Sequence, residues 1–161
     1  MSRIPAFIAL GANLGDALAT VRAAAEELHR IPDSRVLAVS SLYRTAPVGV
    51  KSQPDFINAV ALLETDLGAH ALLDRLFAIE RRFGRRRDYP QAPRTLDLDL
   101  LLYGSLVHAD PRLTVPHPRM HQRAFVLVPL LEITPEAVIP GLGPAAELAR
   151  ACRDQKVERL A

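Results

Sequence analysis

The chain has 161 residues, 49% of them hydrophobic and 24% charged, which suits one compact domain over residues 1–161. No apolar run reaches the roughly 18 residues that a membrane-spanning helix needs, and a single cysteine, Cys152, excludes an internal disulfide. We therefore expect a cytoplasmic protein with no membrane partner. We also expect a monomer.

The first half of the chain predicts three strands and two helices. Apolar or alternating runs predict strands at 4–10, 35–44 and 55–65, and apolar residues at helical spacing predict helices at 17–30 and 67–83. Asp16 is a favourable N-cap for the first helix, and Gly84 is a favourable residue for ending the second. The turn at 11–16 matches neither common nucleotide-loop pattern, so it does not by itself predict a phosphate site.

The second half of the chain begins with a strongly apolar run at 94–103, which predicts a buried strand. A brief strand at 106–107, a helix at 120–131 and a short helix within 142–157 follow. Up to residue 103 the order is β-α-β-β-α-β. That order predicts an α+β fold of the ferredoxin-like split β-α-β type, with a mainly antiparallel sheet covered by helices.

Two carboxylates interrupt the apolar run. Residues two apart on a strand share a face and rise about 6.6 Å, so Asp97 and Asp99 point the same way. Burying two like charges is unfavourable unless a positive group lies between them. Oxygen ligands without a neighbouring His or Cys favour Mg²⁺, as one ion or a pair, over Zn²⁺. The alternative is an exposed face of an antiparallel sheet, where paired acids are common.

Arginines concentrate around these aspartates. Residues 75–123 contain ten arginines and five acidic residues, although the whole chain carries only +2. Arg85, Arg86 and Arg87 precede Arg94 in a charged, proline-containing segment that predicts a loop. Guanidinium groups bind phosphate oxygens in a bidentate manner. The segment therefore indicates a phosphorylated ligand, whereas Arg75, Arg81 and Arg82 fit a solvated helix face.

A less charged group of residues fits a flat heteroaromatic ligand. Phe56 and Asn58 share one face of the predicted strand at 55–65, and Phe125 lies near the start of the helix predicted at 120–131. An aromatic slot with an amide that both donates and accepts suits such a ring. The alternative is that both phenylalanines are ordinary core residues. His117 lies between two prolines without a second His or Cys nearby, which favours hydrogen bonding over metal binding.

Several separated motifs resemble the 6-hydroxymethyl-7,8-dihydropterin pyrophosphokinase family. They are RTLDLDLLLY at 94–103, LTVPHP at 113–118, SSLYRT at 40–45, QPDFIN at 53–58 and GANLG at 11–15. The resemblance covers nearly the whole chain. It implies an enzyme of tetrahydrofolate biosynthesis that transfers pyrophosphate from ATP to the hydroxymethyl group of a reduced pterin, giving the pterin diphosphate and AMP.

The resemblance also implies the residues of the site. Asp97 and Asp99 match positions that bind two Mg²⁺ ions, and Arg85 and Arg94 match positions that hold the transferring group. The implied ATP-binding residues are Glu80, Arg87, Leu100, Arg112, Thr114, His117 and Arg123. The implied pterin-binding residues are Thr45, Ala46, Val48, Phe56, Asn58 and Phe125, with the backbone of 45–48 closing the pocket.

Two other functions remain consistent with the residues alone. A ferredoxin-like sheet with clustered arginines also suits an RNA-binding module, but the strands lack paired stacking aromatics, and we expect no nucleic-acid partner. A metal-dependent phosphate-ester hydrolase would use the same two aspartates. That hydrolase consumes ATP without pterin, whereas the transferase releases AMP only when pterin is present.

Overall fold

The computed structural model of the chain describes residues 3–46, 54–84 and 96–160. The helices are α1 (Ala17–Leu28), α2 (Ala69–Arg82), a 3₁₀ turn (Met120–Gln122), α3 (Ala124–Ile133) and α4 (Ala145–Arg150). The strands are β1 (Ile4–Ala12), β2 (Ser34–Val39), β3 (Tyr43–Thr45), β4 (Phe56–Thr65), β5 (Asp97–Tyr103), β6 (His108–Ala109), β7 (Thr114–Val115), β8 (Val138–Ile139), β9 (Gly143–Pro144) and β10 (Glu158–Arg159). None of these helices is long and apolar enough to cross a bilayer.

The main sheet is antiparallel at every described pairing. Its order is β10-β3-β4-β1-β5, and β2 pairs with the second half of β4. The predicted ferredoxin-like α+β fold is thereby confirmed, and β5, which carries the two aspartates, forms one edge of the described sheet.

Successive side chains of the central strands point to opposite faces of the sheet, so the core is divided into two hydrophobic clusters. On one face, Leu98 and Leu100 of β5 join residues of α1 and α2 in the larger hydrophobic cluster. On the other face, Leu101 of β5 and Val60 of β4 join Leu127 of α3 in a second cluster. Because Asp97 and Asp99 alternate with Leu98 and Leu100, they belong to the face that α3 covers.

Local signals explain the helices that the sequence predicts correctly. The Asp16 carboxylate accepts a hydrogen bond of 3.1 Å from the Ala19 amide at the start of α1. Gly84 follows α2 with φ +76°, a conformation that glycine adopts without a Cβ clash. Its amide donates to the Arg81 carbonyl at 3.1 Å, which ends the helix.

Three predicted elements differ from the structure. The strand expected at 35–44 is divided into β2 and β3, because the Ser40 hydroxyl replaces a backbone partner in the strand pairing and accepts from the Val60 amide at 2.9 Å.

The prediction of a strand at 106–107 is wrong. The hairpin strands are instead β6 and β7, joined by a turn in which the Asp110 carboxylate accepts from the Leu113 amide.

The third difference is the helix expected at 120–131, which is interrupted at Arg123. A residue distant in sequence causes the new start at Ala124. The Gln155 amide oxygen accepts from the Ala124 amide at 2.9 Å, and its nitrogen donates to the Gln122 carbonyl at 2.9 Å. This side chain acts as a cap for α3, which positions the first residues of that helix.

Candidate active site

The two aspartates of β5 lie in register with small residues of β1. Asp97 is paired with Gly11 and Asp99 with Ala9, and both carboxylates are half-buried on one face. Their separation along the strand is about 6.6 Å. Two oxygen-donor groups thus face the same partly enclosed space, which is the arrangement that the sequence predicts for a hard divalent cation.

A buried carboxylate fixes the strand between these two aspartates. Glu80, in the last turn of α2, is only 3% exposed, and its Oε2 accepts from the Leu98 amide at 2.8 Å. Leu98 lies between Asp97 and Asp99, and its N–H points away from β1. Glu80 therefore supplies a hydrogen-bond partner where the described sheet has no further strand, and it positions the backbone that carries both aspartates.

Asn58 of β4 lies on the same sheet face, on the opposite side of Gly11 from Asp97. Gly11 pairs with Asn58 on one side and with Asp97 on the other. A Cβ at Gly11 would approach the Asn58 Oδ1 to 3.2 Å. The Asn58 Nδ2 donates to the Thr45 Oγ1 at 2.9 Å, and both residues are buried. That bond fixes the amide, and adjacent strands place Asn58 about 10 Å from Asp97.

The aromatic residues predicted for a ring-binding slot are both half-buried. Phe56 shares the strand face of Asn58, as the alternation predicts. Phe125, in the first turn of α3, packs against the cluster that contains Val60. The Arg123 guanidinium carbon lies 5.6 Å from the Phe125 ring centroid, within the range of a cation–π contact. Neither aromatic is a fully enclosed core residue.

His117 links the aspartate strand to the start of α3. Its amide donates to the Leu101 carbonyl at 2.8 Å, and its Nδ1 accepts from the Arg119 amide at 3.2 Å. Burial and then the charge of Arg123 lower the pKa of His117 from 6.5 to about 4, while Asp97 acts in the opposite direction. At neutral pH the imidazole is therefore uncharged, with its proton on Nε2, available as a donor to an anionic ligand.

The other predicted ATP-binding residues occupy different environments. Leu100 is 4% exposed and packs in the α1/α2 cluster, so only its backbone can reach a ligand on the aspartate face. The Arg112 guanidinium contacts the Asp74 carboxylate of α2 at the surface. Thr114 is exposed on β7, and Ala46 is exposed after β3. Arg85, Arg87, Arg94 and Val48 lie outside the described residues.

Sequence reasoning misses the structural importance of two residues in this region. The pattern at 11–16 predicts only a turn, but Gly11 is a strand residue whose missing side chain leaves space between Asn58 and Asp97. The resemblance gives Thr45 a role through its backbone, whereas its hydroxyl also accepts from Asn58. The available signal for the second point is that Asn58 is the single polar residue in the apolar run at 56–63, which predicts a buried amide that needs a hydrogen-bond partner.

Comparison with known proteins identifies the family. Residues 7–135 match the family model described as 7,8-dihydro-6-hydroxymethylpterin-pyrophosphokinase (HPPK). The chain is 46% identical over 154 residues to the 2-amino-4-hydroxy-6-hydroxymethyldihydropteridine pyrophosphokinase of Pseudomonas aeruginosa, covering 96% of this chain and 95% of that protein. The chain belongs to the HPPK family. The Haemophilus influenzae protein of the same name is 42% identical, with 98% of each chain covered.

Solved structures agree on the fold. A crystal structure of HPPK-DHPS in complex with substrates has a TM-score of 0.77 at 12% identity and covers 94% of this chain. A Plasmodium falciparum HPPK-DHPS structure has a TM-score of 0.74 at 14% identity. This chain spans 43% and 45% of those two longer chains, so the likeness concerns the fold of the HPPK portion.

Family membership confirms the activity that the sequence motifs imply. The protein is a diphosphotransferase of folate biosynthesis, which transfers a pyrophosphoryl group from ATP to the hydroxymethyl group of a dihydropterin. The family shows the reaction, while the geometry of the sheet face suggests which side chains perform it.

Proposed function

We propose that HPPK activity takes place on the sheet face that carries Asn58, Gly11 and Asp97. The single observation that supports this placement is the register across β4, β1 and β5, in which Gly11 separates Asn58 from Asp97. A pterin-binding amide and a pair of metal-binding carboxylates thereby lie about 10 Å apart on one surface. That distance suits a pterin ring at one end and the phosphates of ATP at the other.

The pterin half of the proposed site uses a fixed amide and two rings. Asn58, held by Thr45, reads the polar edge of the pterin, and Phe56 and Phe125 enclose its faces. Ala46 follows β3 directly, and Val48, which lies outside the described residues, is included because the family resemblance implies it. Because Asn58 is buried, a ligand without a matching polar edge would leave its amide without a hydrogen-bond partner. The site therefore selects ligands whose edge can pair with this amide.

The ATP half of the proposed site combines carboxylates with cations. Asp97 and Asp99 offer only oxygen donors on a shared face, a donor set that fits two Mg²⁺ ions. When bound, Mg²⁺ offsets the negative charge of the triphosphate. The guanidinium of Arg123 and the Nε2 proton of His117 are further phosphate partners, and the charges of Arg123 and Asp97 both act on the pKa of His117. Arg85, Arg87, Arg94, Arg112, Thr114 and the backbone of Leu100 complete the proposed ATP contacts, and Glu80 positions β5.

The reaction is an in-line displacement at the β-phosphorus of ATP. The pterin hydroxymethyl oxygen forms the new bond to this phosphorus, the bond to the α,β-bridging oxygen breaks, and that oxygen leaves with AMP. The hydroxyl group loses its proton, and the Asp97 carboxylate is the proposed acceptor. Arg85 and Arg94 neutralise charge on the transferring group, so the protein acts mainly by positioning and electrostatics.

A coupled assay tests this function. Purified protein is incubated with ATP and Mg²⁺, and AMP is measured with and without 6-hydroxymethyl-7,8-dihydropterin. We expect AMP only when both pterin and Mg²⁺ are present, and we expect removal of Mg²⁺ by a chelator to stop its release. ATP consumption at the same rate without pterin would indicate a hydrolase and contradict the proposal.

A further inference from the structure

A second group of metal-ligand side chains lies apart from the aspartate pair. His70 is in the first turn of α2, and His108 and Asp110 belong to the β6–β7 hairpin. The Asp110 Oδ2 lies 2.6 Å from the His70 Nε2 and 2.7 Å from the His108 Nε2. Within the described parts of the chain, these three residues form the group of His, Cys, Asp or Glu side chains that brings its ligand atoms within 4.8 Å of one another.

The hairpin turn fixes the carboxylate of this cluster. The Asp110 Oδ1 accepts from the Arg112 and Leu113 amides, each at 2.8 Å. The Asp110 amide donates to the Leu113 carbonyl at 2.9 Å. One carboxylate oxygen is therefore tied to the backbone, and the other is directed at both imidazoles. Fixed orientation of a ligand by its outer hydrogen bonds is a property of built metal sites.

The ring geometry of the cluster also suits a cation. The two imidazole rings lie edge to face, with centroids 5.4 Å apart and planes at 86°. The two Nε2 atoms therefore approach the same Asp110 oxygen from different directions. The two nitrogens and this oxygen can thus occupy three coordination positions around one ion.

The donor set selects the type of ion. Two imidazole nitrogens with one carboxylate oxygen favour Zn²⁺ and its transition-metal neighbours, whereas Mg²⁺ prefers oxygen ligands. Zinc lies about 2.0–2.2 Å from such atoms, so a tetrahedral site needs ligand separations of roughly 3.3 Å. The present separations of 2.6 and 2.7 Å must widen by a fraction of an ångström. The side chains of His70, His108 and Asp110 are 44%, 37% and 29% exposed, which leaves access for a water ligand.

We propose that His70, His108 and Asp110 bind a divalent transition-metal ion of the Zn²⁺ class through Nε2, Nε2 and Oδ2, with solvent completing the coordination. The ion takes the place of the two hydrogen bonds between the Nε2 atoms and Oδ2, and each neutral imidazole then carries its proton on Nδ1. It joins α2 to the β6–β7 hairpin, next to the Arg112–Asp74 contact that joins the same two elements. His70 lies about 15 Å along α2 from Glu80, so this site is separate from the aspartate pair.

Zinc binding to untagged full-length protein tests the site. Zn²⁺ is titrated by calorimetry in millimolar Mg²⁺, which occupies oxygen-only sites, and Co²⁺ is titrated in parallel to record its visible absorption bands. We expect about one ion per chain and an affinity at least about tenfold weaker in His70→Ala and in His108→Ala. The matched control is His29→Ala, which removes an exposed histidine outside the cluster and retains wild-type binding.

Thermal unfolding supplies a second measurement that does not depend on the calorimetric signal. An ion that binds only the folded chain raises its Tm, so Zn²⁺ raises the Tm of the wild-type and His29→Ala proteins but not of His70→Ala. His70→Gln replaces the Ala variant if the latter is not folded by circular dichroism. The proposal would be overturned if micromolar Zn²⁺ did not bind, or if all variants bound it equally. It would also be overturned if Asp97→Asn lost zinc binding while His70→Ala retained it.

Discussion

Two carboxylate-containing clusters of this protein differ in the atoms that they offer to a metal ion. Asp97 and Asp99 present oxygens from successive positions on one face of β5, and Glu80 holds the backbone between them. Asp110 instead shares one oxygen with the two imidazoles of His70 and His108. Oxygen-only donors favour Mg²⁺, and imidazole donors favour Zn²⁺. We therefore propose that the first cluster binds a hard cation and the second a softer one.

The largest effect is expected from replacing an oxygen donor on β5. Asp97→Asn keeps the shape of the side chain but removes the charge that offsets Mg²⁺, so we expect turnover to fall by about 10²–10³. Zinc binding by the histidine cluster should not change. Steady-state AMP release measures the turnover, and Zn²⁺ calorimetry on the same preparation measures the zinc binding. Asp154→Asn, an exposed acid near the C-terminus, is the matched control that keeps wild-type turnover.

A comparable effect is expected from the arginine that precedes β5. Arg94→Ala removes a cation proposed to contact the transferring group, so turnover should fall by about 10²–10³, while ATP affinity changes much less. Single-turnover rates and nucleotide binding separate the two quantities. The control is Arg75→Ala, on the exposed side of α2. Near-normal turnover of Arg94→Ala would contradict the proposed role.

A smaller effect is expected at Gly11, where we propose that pterin approaches the sheet. Gly11→Ala places a methyl group 3.2 Å from the Asn58 Oδ1, between the amide and the aspartates. Overpacking of this kind costs about 1–3 kcal/mol, which we expect to appear as a raised KM for pterin with little change in ATP or Zn²⁺ affinity. Gly68→Ala is the control, because a Cβ at Gly68 would have no atom within 4 Å. An unchanged KM for pterin would contradict the proposal that pterin binds next to Gly11.

The smallest effect concerns the pH response of the imidazole beside Asp97. The unfolded chain protonates His117 below about pH 6.5, but the folded chain does so only near its lowered pKa of about 4. The unfolded state therefore binds more protons in this window, and the contribution of His117 to stability is lost as the pH falls from 6.5 towards 4. We expect urea midpoints of His117→Asn to fall less steeply than those of the wild type over this range. If the urea midpoints of the two proteins fell equally steeply with pH, this result would argue against a buried, neutral imidazole at His117.

The contrast between the two clusters also shows what sequence can reveal. Asp97 and Asp99 are two residues apart, so the period of a strand is enough to place them on one face. His70 and His108 come from a helix and a hairpin that only tertiary packing brings together. Their spacing has no local period, so no sequence pattern joins them. Local patterns predict local geometry, whereas contacts between distant elements require the fold.

The same distinction separates the elements that sequence predicts from those that it does not. Alternation and helical spacing identify β1, β4, β5, α1 and α2, because each is a long element with a continuous apolar pattern. The break at Ser40 and the start of α3 at Ala124 depend on bonds from Val60 and Gln155, which are far away in the chain. The register that sets Asn58 opposite Gly11 likewise comes from strand pairing rather than from any motif.

The Glu80 hydrogen bond has a consequence for how the protein behaves in a crowded solution. An edge strand with unsatisfied N–H groups can pair with strands of other chains and start aggregation. In β5 the outward N–H of Leu98 is already occupied by a carboxylate from the chain's own helix. A foreign strand would have to displace this side chain to extend the sheet there, so the residue that positions the aspartates also protects the edge on which they lie.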